Sequence, residues 1–583
     1  MAALLAFGPW EFREGFALGG LNISLPELLA AIALALNSLA ILHHRQNPQF
    51  RQHIRQLRPL LLALGAWALL HFASALWAPM DHGEPANRAQ IVKFSLRVLG
   101  MMLLAGQTAI LAFFQPFQRT VLRGLLLGLL LLTVLGVLER RLGRDLELFL
   151  RLFRDEPTWM LGEQRLSLVF YHANTAAAYF ELAAPALILW AANSALKVWQ
   201  RLLLLIWLAT VAVLLSLTYS RAGFGAAVTG ALILVIAAHK MALPSRRWLT
   251  LLASAYALTV VLAYALNPEM RARVGLTDRS YRAKFQFVQP CLGHPGERIS
   301  VPIVVRNVGE WPLSNVQAPG SLMYTWMTPL GQRVQKWWDL AKLPTMEPHT
   351  EAQVIMHPQL PGKAGDYVLG VDVIRDEVLR ISALGNPMAW LHCTVLAPDD
   401  DPNAVAGRGI SLRRPLDTSQ VSVGRRLDLE RRHYWRAALL LFSRRPLLGY
   451  GADRFRLVDR GWVPDEAWDD RARAHSVPAE TAVDFGLLGL TVLLILVTLT
   501  AKRLWQLLRT PREQRSLTQD APALAALAAL VGLAVHSQVD YFLAYTQVAV
   551  LVWPLLGLAC GAHERERQAA THADSSDPER RNA

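Results

Sequence analysis

Residues Arg473 to Gly489 read RAHSVPAETAVDFGLLG, a stretch in which a polar, histidine-bearing loop runs directly into an apolar helix. Two other polar stretches stand beside apolar runs in the same way, at residues 219–223 (YSRAG) and 165–174 (RLSLVFYHAN). Ionisable side chains at the edge of a membrane are costly to hold there, and they mark functional sites by default. Together these junctions predict a membrane protein that handles an anionic substrate at the lipid surface.

Apolar runs of the length that crosses a bilayer recur along the chain. A helix needs about 20 apolar residues to cross the hydrocarbon core, and 53% of this chain is hydrophobic. So many long runs argue against a soluble protein with buried helices, and they predict a mainly α, polytopic membrane protein with about 11 transmembrane helices. The eleven runs are 23–42, 59–78, 91–114, 120–138, 173–192, 202–219, 222–238, 248–266, 481–500, 522–538 and 546–562.

Basic residues indicate the orientation of these helices. Clusters of Lys and Arg follow the first, fifth, seventh and ninth runs, which share one side if the helices alternate. That side is predicted to be cytoplasmic, because cytoplasmic loops carry the excess of Lys and Arg. The N-terminus, the loop 139–172, the tip at Ser220-Arg221 and the insert 267–480 are then predicted to lie outside.

The insert breaks the helical pattern and divides the chain into five predicted segments. Apolar residues alternate with polar ones at 299–305, 367–373 and 391–395, and Gly- and Pro-rich turns separate these short strands. This pattern predicts an extracytoplasmic β-sandwich. The segments are residues 1–266 (transmembrane helices 1–8), 281–397 (the β-sandwich), 398–480 (a linker and helical loop with His475), 481–562 (transmembrane helices 9–11) and 563–583 (a disordered cytoplasmic tail).

Cys291 and Cys393 bracket the predicted sandwich, in what should be its first and last strands. An oxidising compartment permits a disulfide between them, and on the chain-entropy model so long a loop would contribute about 4 to 5 kcal/mol. Two unpaired buried thiols are the alternative. The sequence has no Cys/His cluster with metal-ligand spacing and no nucleotide-binding or metalloprotease motif, so we expect no metal and no nucleic acid partner.

Four motifs occur in the order seen in bacterial O-antigen ligases and polymerases. They are residues 217–223 (LTYSRAG), 446–451 (PLLGYG) with Phe455 after them, 474–475 (AH) and 486–489 (GLLG). Residues 165–185 also look like that family's Arg-led, Asn-centred approach to a mid-chain helix. The resemblance covers about 160–262 and 431–560, and the β-rich insert is not part of it. Ser476, Pro478 and Asp484 depart from the residues usual in the family.

The resemblance implies an integral-membrane C-type glycosyltransferase of the bacterial inner membrane, working at the periplasmic face without metal or cofactor. Its donor would be a glycan carried on undecaprenyl pyrophosphate. Its acceptor would be a hydroxyl of lipid A-core in a ligase, of another glycan in a polymerase, or of a protein in an O-oligosaccharyltransferase. A non-enzymatic transporter of the lipid-linked glycan is a further alternative, although a transporter should hold ionisable residues in mid-bilayer and carry internal repeats.

Arginine and histidine suit this chemistry. Because a guanidinium stabilises a leaving pyrophosphate with a permanent charge and a bidentate fork, we expect Arg221 to be catalytic and Arg221, Arg165 and Arg436 to bind pyrophosphate. His475 is the candidate general base, since an imidazole titrates near working pH. A snorkelling arginine and a histidine that only orients the pyrophosphate are the alternatives. The candidate supporting residues are Asn174, Tyr219, Asp540 and Glu480, the last expected to lie too far around a helix to share the face of His475.

Overall fold

The computed structural model describes residues 1–13, 16–18, 21–78, 86–154, 159–160, 163–193, 196–241, 245–266, 281–289, 291–316, 319–328, 333–335, 340–375, 379–381, 386–397, 426–455, 473–509 and 517–562. The predicted tail 563–583 and most of the predicted linker, 398–425, lie outside these residues. The chain divides into two compact units. The first comprises residues 1–157, 166–263 and 431–583, and the second comprises 158–165 and 264–430.

The described chain is mostly helical. Its α-helices are α1 (Ala2–Phe7), α2 (Leu25–His44), α3 (Pro48–Gln56), α4 (Arg58–Trp77), α5 (Ala86–Leu111), α6 (Gln115–Leu142), α7 (Arg144–Leu150), α8 (Ala173–Ala191), α9 (Val198–Leu217), α10 (Arg221–Lys240), α11 (Arg246–Leu266), α12 (Arg426–Arg444), α13 (Val477–Arg509), α14 (Leu517–His536) and α15 (Thr546–Gly561). Each of the eleven apolar runs coincides with one of these helices.

Eight of the described helices are long and apolar enough to cross a membrane. They are α2, α4, α5 from Ile91, α6, α9, α10, α11 and α13. Length and composition thus support eight of the about 11 crossing helices expected. The apolar parts of α14 and α15 are shorter, with 17 residues at most, and α8 carries Asn174, Glu181 and Pro185 within its 19 residues.

The polar residues that interrupt the first apolar run form the N-terminal cap of α2. Pro26 and Glu27 stand in the first turn of α2, and Ser24 is the N-cap. The Ser24 backbone N–H donates to a Glu27 carboxylate oxygen at 2.8 Å, and the Glu27 N–H donates back to the Ser24 hydroxyl at 3.4 Å. This capping box satisfies N–H groups that the first turn leaves without partners, and proline is tolerated there for the same reason.

Helix α12 corrects the predicted linker. Residue 398 was predicted to begin a linker that leads into a helical loop, and the structure shows that the helix already begins at Arg426. Its first residues are RLDLERRH, and Leu, Arg and Glu are strong helix formers. The predicted linker therefore gives way to a helix at its C-terminal end.

The second unit contains two larger β-sheets. One has the strand order β10 (Ala341–Lys342), β8 (Gly320–Met327), β12 (Gly365–Arg375), β14 (Ala389–Val395) and β6 (Cys291–Gly293), with β9 (Arg333–Gln335) on β8 and β13 (Leu379–Arg380) on β12. The other has the order β11 (Glu351–Met356), β7 (Val301–Asn307) and β5 (Ala283–Phe287). The remaining strands form two short pairs. The pair β1 (Phe16–Leu18) with β2 (Leu21–Ile23) belongs to the first unit, and the pair β3 (Trp159–Met160) with β4 (Glu163–Gln164) to the second.

The three predicted strands are confirmed as β7, β12 and β14. In β7 the odd-numbered residues are buried and the even-numbered ones are not, which is the period-two pattern of a strand with one covered face. Ile303 of β7 and Leu369 and Leu391 of the larger sheet belong to one buried apolar cluster. The two sheets therefore share a core.

A disulfide joins Cys291 to Cys393, whose Cα atoms lie 4.5 Å apart. The two residues face each other in β6 and β14, which are parallel neighbours. Cys393 is in the last described strand of this unit, as expected, but Cys291 is not in the first. Strand β5 precedes it and pairs with β7 in the other sheet, because the chain changes sheets between Phe287 and Cys291.

Candidate functional site

Asp540 lies between three side chains that come from distant parts of the first unit. One of its carboxylate oxygens lies 3.4 Å from Nδ1 of His475. The other accepts a hydrogen bond from the Asn174 amide at 2.8 Å and lies 3.6 Å from Nε2 of His536. Since Asn174 opens α8 and His536 closes α14, this carboxylate joins helix ends that the sequence separates by hundreds of residues.

His536 extends the cluster into the helices. Its Nδ1 lies 2.9 Å from a Glu181 carboxylate oxygen, and its Nε2 lies 3.4 Å from the Ser220 hydroxyl. Both His536 and Glu181 are buried. Carboxylates beside both ring nitrogens suit an imidazolium, which donates from both. We call these residues the Asp540 network: Asn174, Glu181, Ser220, His475, His536 and Asp540. The end of the helices at which they lie is called the histidine end.

His475 sits in a left-handed backbone conformation just before α13, with φ of 49°. Such a conformation is unusual for a residue with a side chain, and it persists where surrounding contacts hold it. The Tyr434 ring lies 5.5 Å from the imidazole, centre to centre. The His475 side chain is 37% exposed, so it can reach a substrate while Asp540 orients it.

A buried ion cluster holds the loop that carries His475. Arg473 pairs with Asp453 at 2.7 Å and with Glu480 at 3.2 Å, and Glu480 also accepts the Ala474 backbone N–H at 2.7 Å. Burial alone would lower the pKa of Arg473, but the Asp453 and Glu480 carboxylates outweigh burial and raise its pKa. We call Arg473, Asp453 and Glu480 the Arg473 clasp.

Glu480 was expected to be a supporting residue that lies too far around a helix to share the face of His475. His475 precedes α13, so the two residues share no helical face. Glu480 instead reaches back over the first turn to the backbone N–H beside His475. It is a positioning residue for the histidine loop.

The glycine turn at residues 446–451 packs on the first part of α13. The N–H groups of Tyr450 and Gly451 donate to the carbonyls of Val483 and Asp484, and the Leu487 N–H donates to the Pro446 carbonyl. The Asp484 carboxylate accepts the backbone N–H groups of Asp453 and Arg454 at 3.0 and 3.1 Å. These contacts of the turn therefore place Asp453 beside Arg473, within the Arg473 clasp.

The motif around Arg221 meets the same end of the helices. Ser220 caps α10 by accepting the Gly223 N–H at 3.2 Å, and its hydroxyl faces His536. Arg221 is the first residue of α10 and is partly exposed. Tyr219 is buried, with φ of 53°. Arg221 therefore follows directly after Ser220, which is a member of the Asp540 network.

Arg436 and Arg165 are the other two predicted pyrophosphate ligands. Arg436 lies on α12 with an exposed side chain. It is about 200° around that helix from Tyr434, the residue that packs on His475. Arg165 is buried and belongs to the second unit. Pyrophosphate binding by both residues stays a prediction.

Sequence reasoning missed Glu181, His536 and Arg473 as parts of the site. A signal existed for each. Glu181 is an ionisable residue inside an apolar helix, His536 stands four residues before Asp540, and Arg473 stands two residues before His475. Among the described residues, no group of three or more His, Cys, Asp or Glu side chains could hold a metal ion.

Comparison with known proteins adds little to this geometry. No protein-family model matches the sequence, and no curated protein matches it. Among solved structures, an alkylpurine DNA glycosylase, AlkC of Pseudomonas fluorescens bound to DNA containing an abasic site analog, is 14% identical. The match covers 58% of this chain and 98% of that chain with a TM-score of 0.17. A superposition that poor carries no argument about fold or function.

Proposed function

We propose that this protein is an integral membrane glycosyltransferase that moves a glycan from undecaprenyl pyrophosphate to an acceptor hydroxyl. The observation that carries the proposal is the contact between His475 and Asp540, at a helix end that also holds Asn174 and the start of α10. An accessible imidazole oriented by a carboxylate is the arrangement that general-base catalysis requires.

In the proposed reaction the acceptor oxygen attacks the anomeric carbon of the donor sugar. Asp540 accepts the proton on Nδ1 of His475, so Nε2 is unprotonated and takes the acceptor's proton as the new bond forms. The bond between the anomeric carbon and the pyrophosphate oxygen breaks, and its electron pair leaves with the pyrophosphate. The separation of 3.4 Å between His475 and Asp540 is long, as catalytic hydrogen bonds often are before substrate binds.

The leaving pyrophosphate needs positive charge, and the histidine end supplies it in two forms. Arg221 stands at the start of α10 and offers a planar, permanently charged fork. Helices α8, α10 and α13 all begin at this end, and helix N-termini favour anions through their free N–H groups and dipoles.

Membrane position supports the same proposal. Eight helices are long and apolar enough to cross a bilayer, and the charge of the loops favours the histidine end on the periplasmic side of a bacterial inner membrane. We propose lipid A-core as the acceptor, which makes the protein an O-antigen ligase. Another glycan or a protein hydroxyl would use the same chemistry.

Deletion of the gene followed by gel analysis of surface glycans distinguishes these acceptors. Loss of polymer from lipid A-core with lipid-linked polymer retained indicates a ligase. Products with a single repeat unit indicate a polymerase, and loss of glycan from a protein indicates an O-oligosaccharyltransferase.

One observation favours transport as a second candidate. Glu181 and His536 are buried inside helices, and Glu181 is about 12 Å from the start of α8. Buried ionisable pairs within spans also mark transport pathways. Purified protein in detergent has no second compartment, so glycan transfer there would exclude a function limited to transport.

The test of the catalytic proposal is His475→Ala in purified protein. We expect transfer to fall about 100- to 10,000-fold, the usual contribution of a general base, while binding of the undecaprenyl-linked donor is kept. His239→Ala is the matched control, because His239 is exposed at the opposite end of α10. Transfer by His475→Ala at the wild-type rate would disprove the mechanism.

A further inference from the structure

A large cavity lies in the first unit at the end of the helices opposite the histidine end. Its volume is about 660 Å³, within the range of about 300 to 1,000 Å³ typical of ligand pockets. Four helices line it with residues of α6, the last part of α8, Trp207 of α9 and Ala521 of α14. Asn174 of the Asp540 network and Trp190 of the cavity are about 24 Å apart along α8. The cavity is therefore separate from the candidate active site.

Two arginines mark one end of this cavity. Arg119 and Arg123 both line it and both have exposed side chains. They are four residues apart and so share one face of α6. Within the part of the chain that the structure describes, neither guanidinium has a carboxylate partner, and no Asp or Glu lines the cavity. The two guanidinium groups therefore make this end of the cavity positively charged.

Beyond the arginines the cavity is apolar. Leu126, Leu127 and Leu130 continue along α6 as lining residues, and more than a third of the surface of Leu127 and of Leu130 is exposed. Opposite them, the Trp190 and Trp207 rings meet edge to face with their centres 6.4 Å apart. The Trp207 N–H donates to the Thr133 hydroxyl at 3.0 Å, which holds one wall in place.

The length of the cavity matches one leaflet of a bilayer. Arg119 and Leu130 are about 16 Å apart along α6, and half of a hydrocarbon core is about 15 Å. Its positive end stands where the loop-charge argument puts the cytoplasmic surface. A small free anion would contact only the arginines and would leave so long an apolar wall without a partner.

We propose that this cavity binds one anionic phospholipid of the cytoplasmic leaflet. The phosphate of its headgroup lies between Arg119 and Arg123, and an acyl chain lies along the leucines of α6 and against the Trp190–Trp207 pair. Basic pockets between spans on the cytoplasmic side are suited to acidic headgroups. The proposal rests on the membrane insertion and orientation given under the proposed function, but not on glycan transfer.

The test is a lipid titration of the full-length protein, purified in mild detergent, followed by native mass spectrometry. Phosphatidylglycerol and phosphatidylethanolamine are the two probes. We expect one phosphatidylglycerol to bind in preference, and Arg119→Gln with Arg123→Gln to weaken that binding about 10- to 30-fold, as loss of two arginines near a headgroup implies. The control is Arg55→Gln with Arg58→Gln, two exposed arginines of α3 and α4 outside the cavity.

Three results would overturn the proposal: equal binding of both lipids, unchanged binding by the Arg119/Arg123 variant, or an equal loss in the control. Resistance of the wild-type protein to alkaline extraction from membranes establishes insertion separately. Glycan transfer is measured on the same preparations. Loss of lipid selectivity with normal transfer rejects this site alone, and the reverse result rejects the proposed enzyme alone.

Discussion

At the scale of single residues, Asp540 determines how His475 is presented. Its two oxygens serve different partners, one facing His475 and the other facing Asn174 and His536. A carboxylate that accepts from Nδ1 leaves Nε2 as the acceptor for a substrate proton. In the proposed mechanism, Asp540 therefore sets the orientation and tautomer of His475 and makes no direct contact with the substrate.

Asp540→Asn should lower kcat about 100-fold or more with little change in KM. The amide is the same size, but its NH₂ group can donate to Nδ1 and place the imidazole proton on Nε2. The measurement is steady-state transfer by purified protein. Asp145→Asn is the control, since Asp145 is exposed on α7, and a parallel fall in protein yield and activity would instead indicate a structural role.

Arg221→Lys should lose most transfer activity although the positive charge survives. Lysine is a point donor, whereas two pyrophosphate oxygens match the planar fork of arginine. The assay compares variants at equal abundance in the membrane, with Arg247→Lys as the control, because Arg247 is exposed near the start of α11. Nearly normal transfer by Arg221→Lys would favour simple membrane anchoring.

At the scale of elements, the first part of α13 is the scaffold of the site. The Arg473 clasp precedes it and the glycine turn 446–451 packs on it. Its helical course is broken at Gly486, where φ is 61° and ψ is −150°. At this break a Cβ atom would come within 2.5 Å of the carbonyl oxygen of Pro446.

Gly486→Ala should therefore destabilise the protein by about 2 to 3 kcal/mol and reduce transfer. The substitution forces a side chain into a left-handed conformation and against backbone that cannot move aside cheaply. Thermal unfolding in detergent measures the effect. Gly100→Ala in α5 is the control, because nothing lies within 4 Å of its new Cβ, and a gain of about 0.5 to 1 kcal/mol is expected there. Equal unfolding midpoints for the two variants would contradict this account.

At the scale of the whole molecule, the chain builds two compact units by different means. The first buries side chains between long apolar helices, and the second closes two sheets on one apolar core. The disulfide Cys291–Cys393 closes a loop of 102 residues within the second unit. This unit therefore has the parts of an independently stable domain.

Residues 281–397 expressed alone should form a soluble, β-rich domain without transferase activity. Its strands bury one face against the other sheet and need no lipid. Circular dichroism and gel filtration check this, and a mostly helical spectrum would defeat it.

Replacing both cysteines by alanine should cost about 4 to 5 kcal/mol on the chain-entropy model, measured as a lower midpoint in urea under oxidising conditions.

Local pattern in the sequence was enough for the long apolar helices and for three of the strands. Eleven apolar runs predicted eleven helices, and alternation at 299–305, 367–373 and 391–395 predicted three strands, because periodicity and length reflect burial along a single element. Local pattern also singled out His475, Asn174 and Asp540 as polar residues at helix ends. Boundaries were less accurate, as at Arg426, where helix propensity extends α12 into the predicted linker.

Only the tertiary structure decided which of these residues act together. Glu181 and His536 are 355 residues apart and still lie in direct contact, and His475 meets Asp540 from the start of another helix. Pairings of this kind depend on how helices pack, and helix packing is set by side chains on several elements at once. The role of Glu480 was also decided there, because its carboxylate reaches back from α13 to Arg473 and to the Ala474 backbone N–H, beside His475.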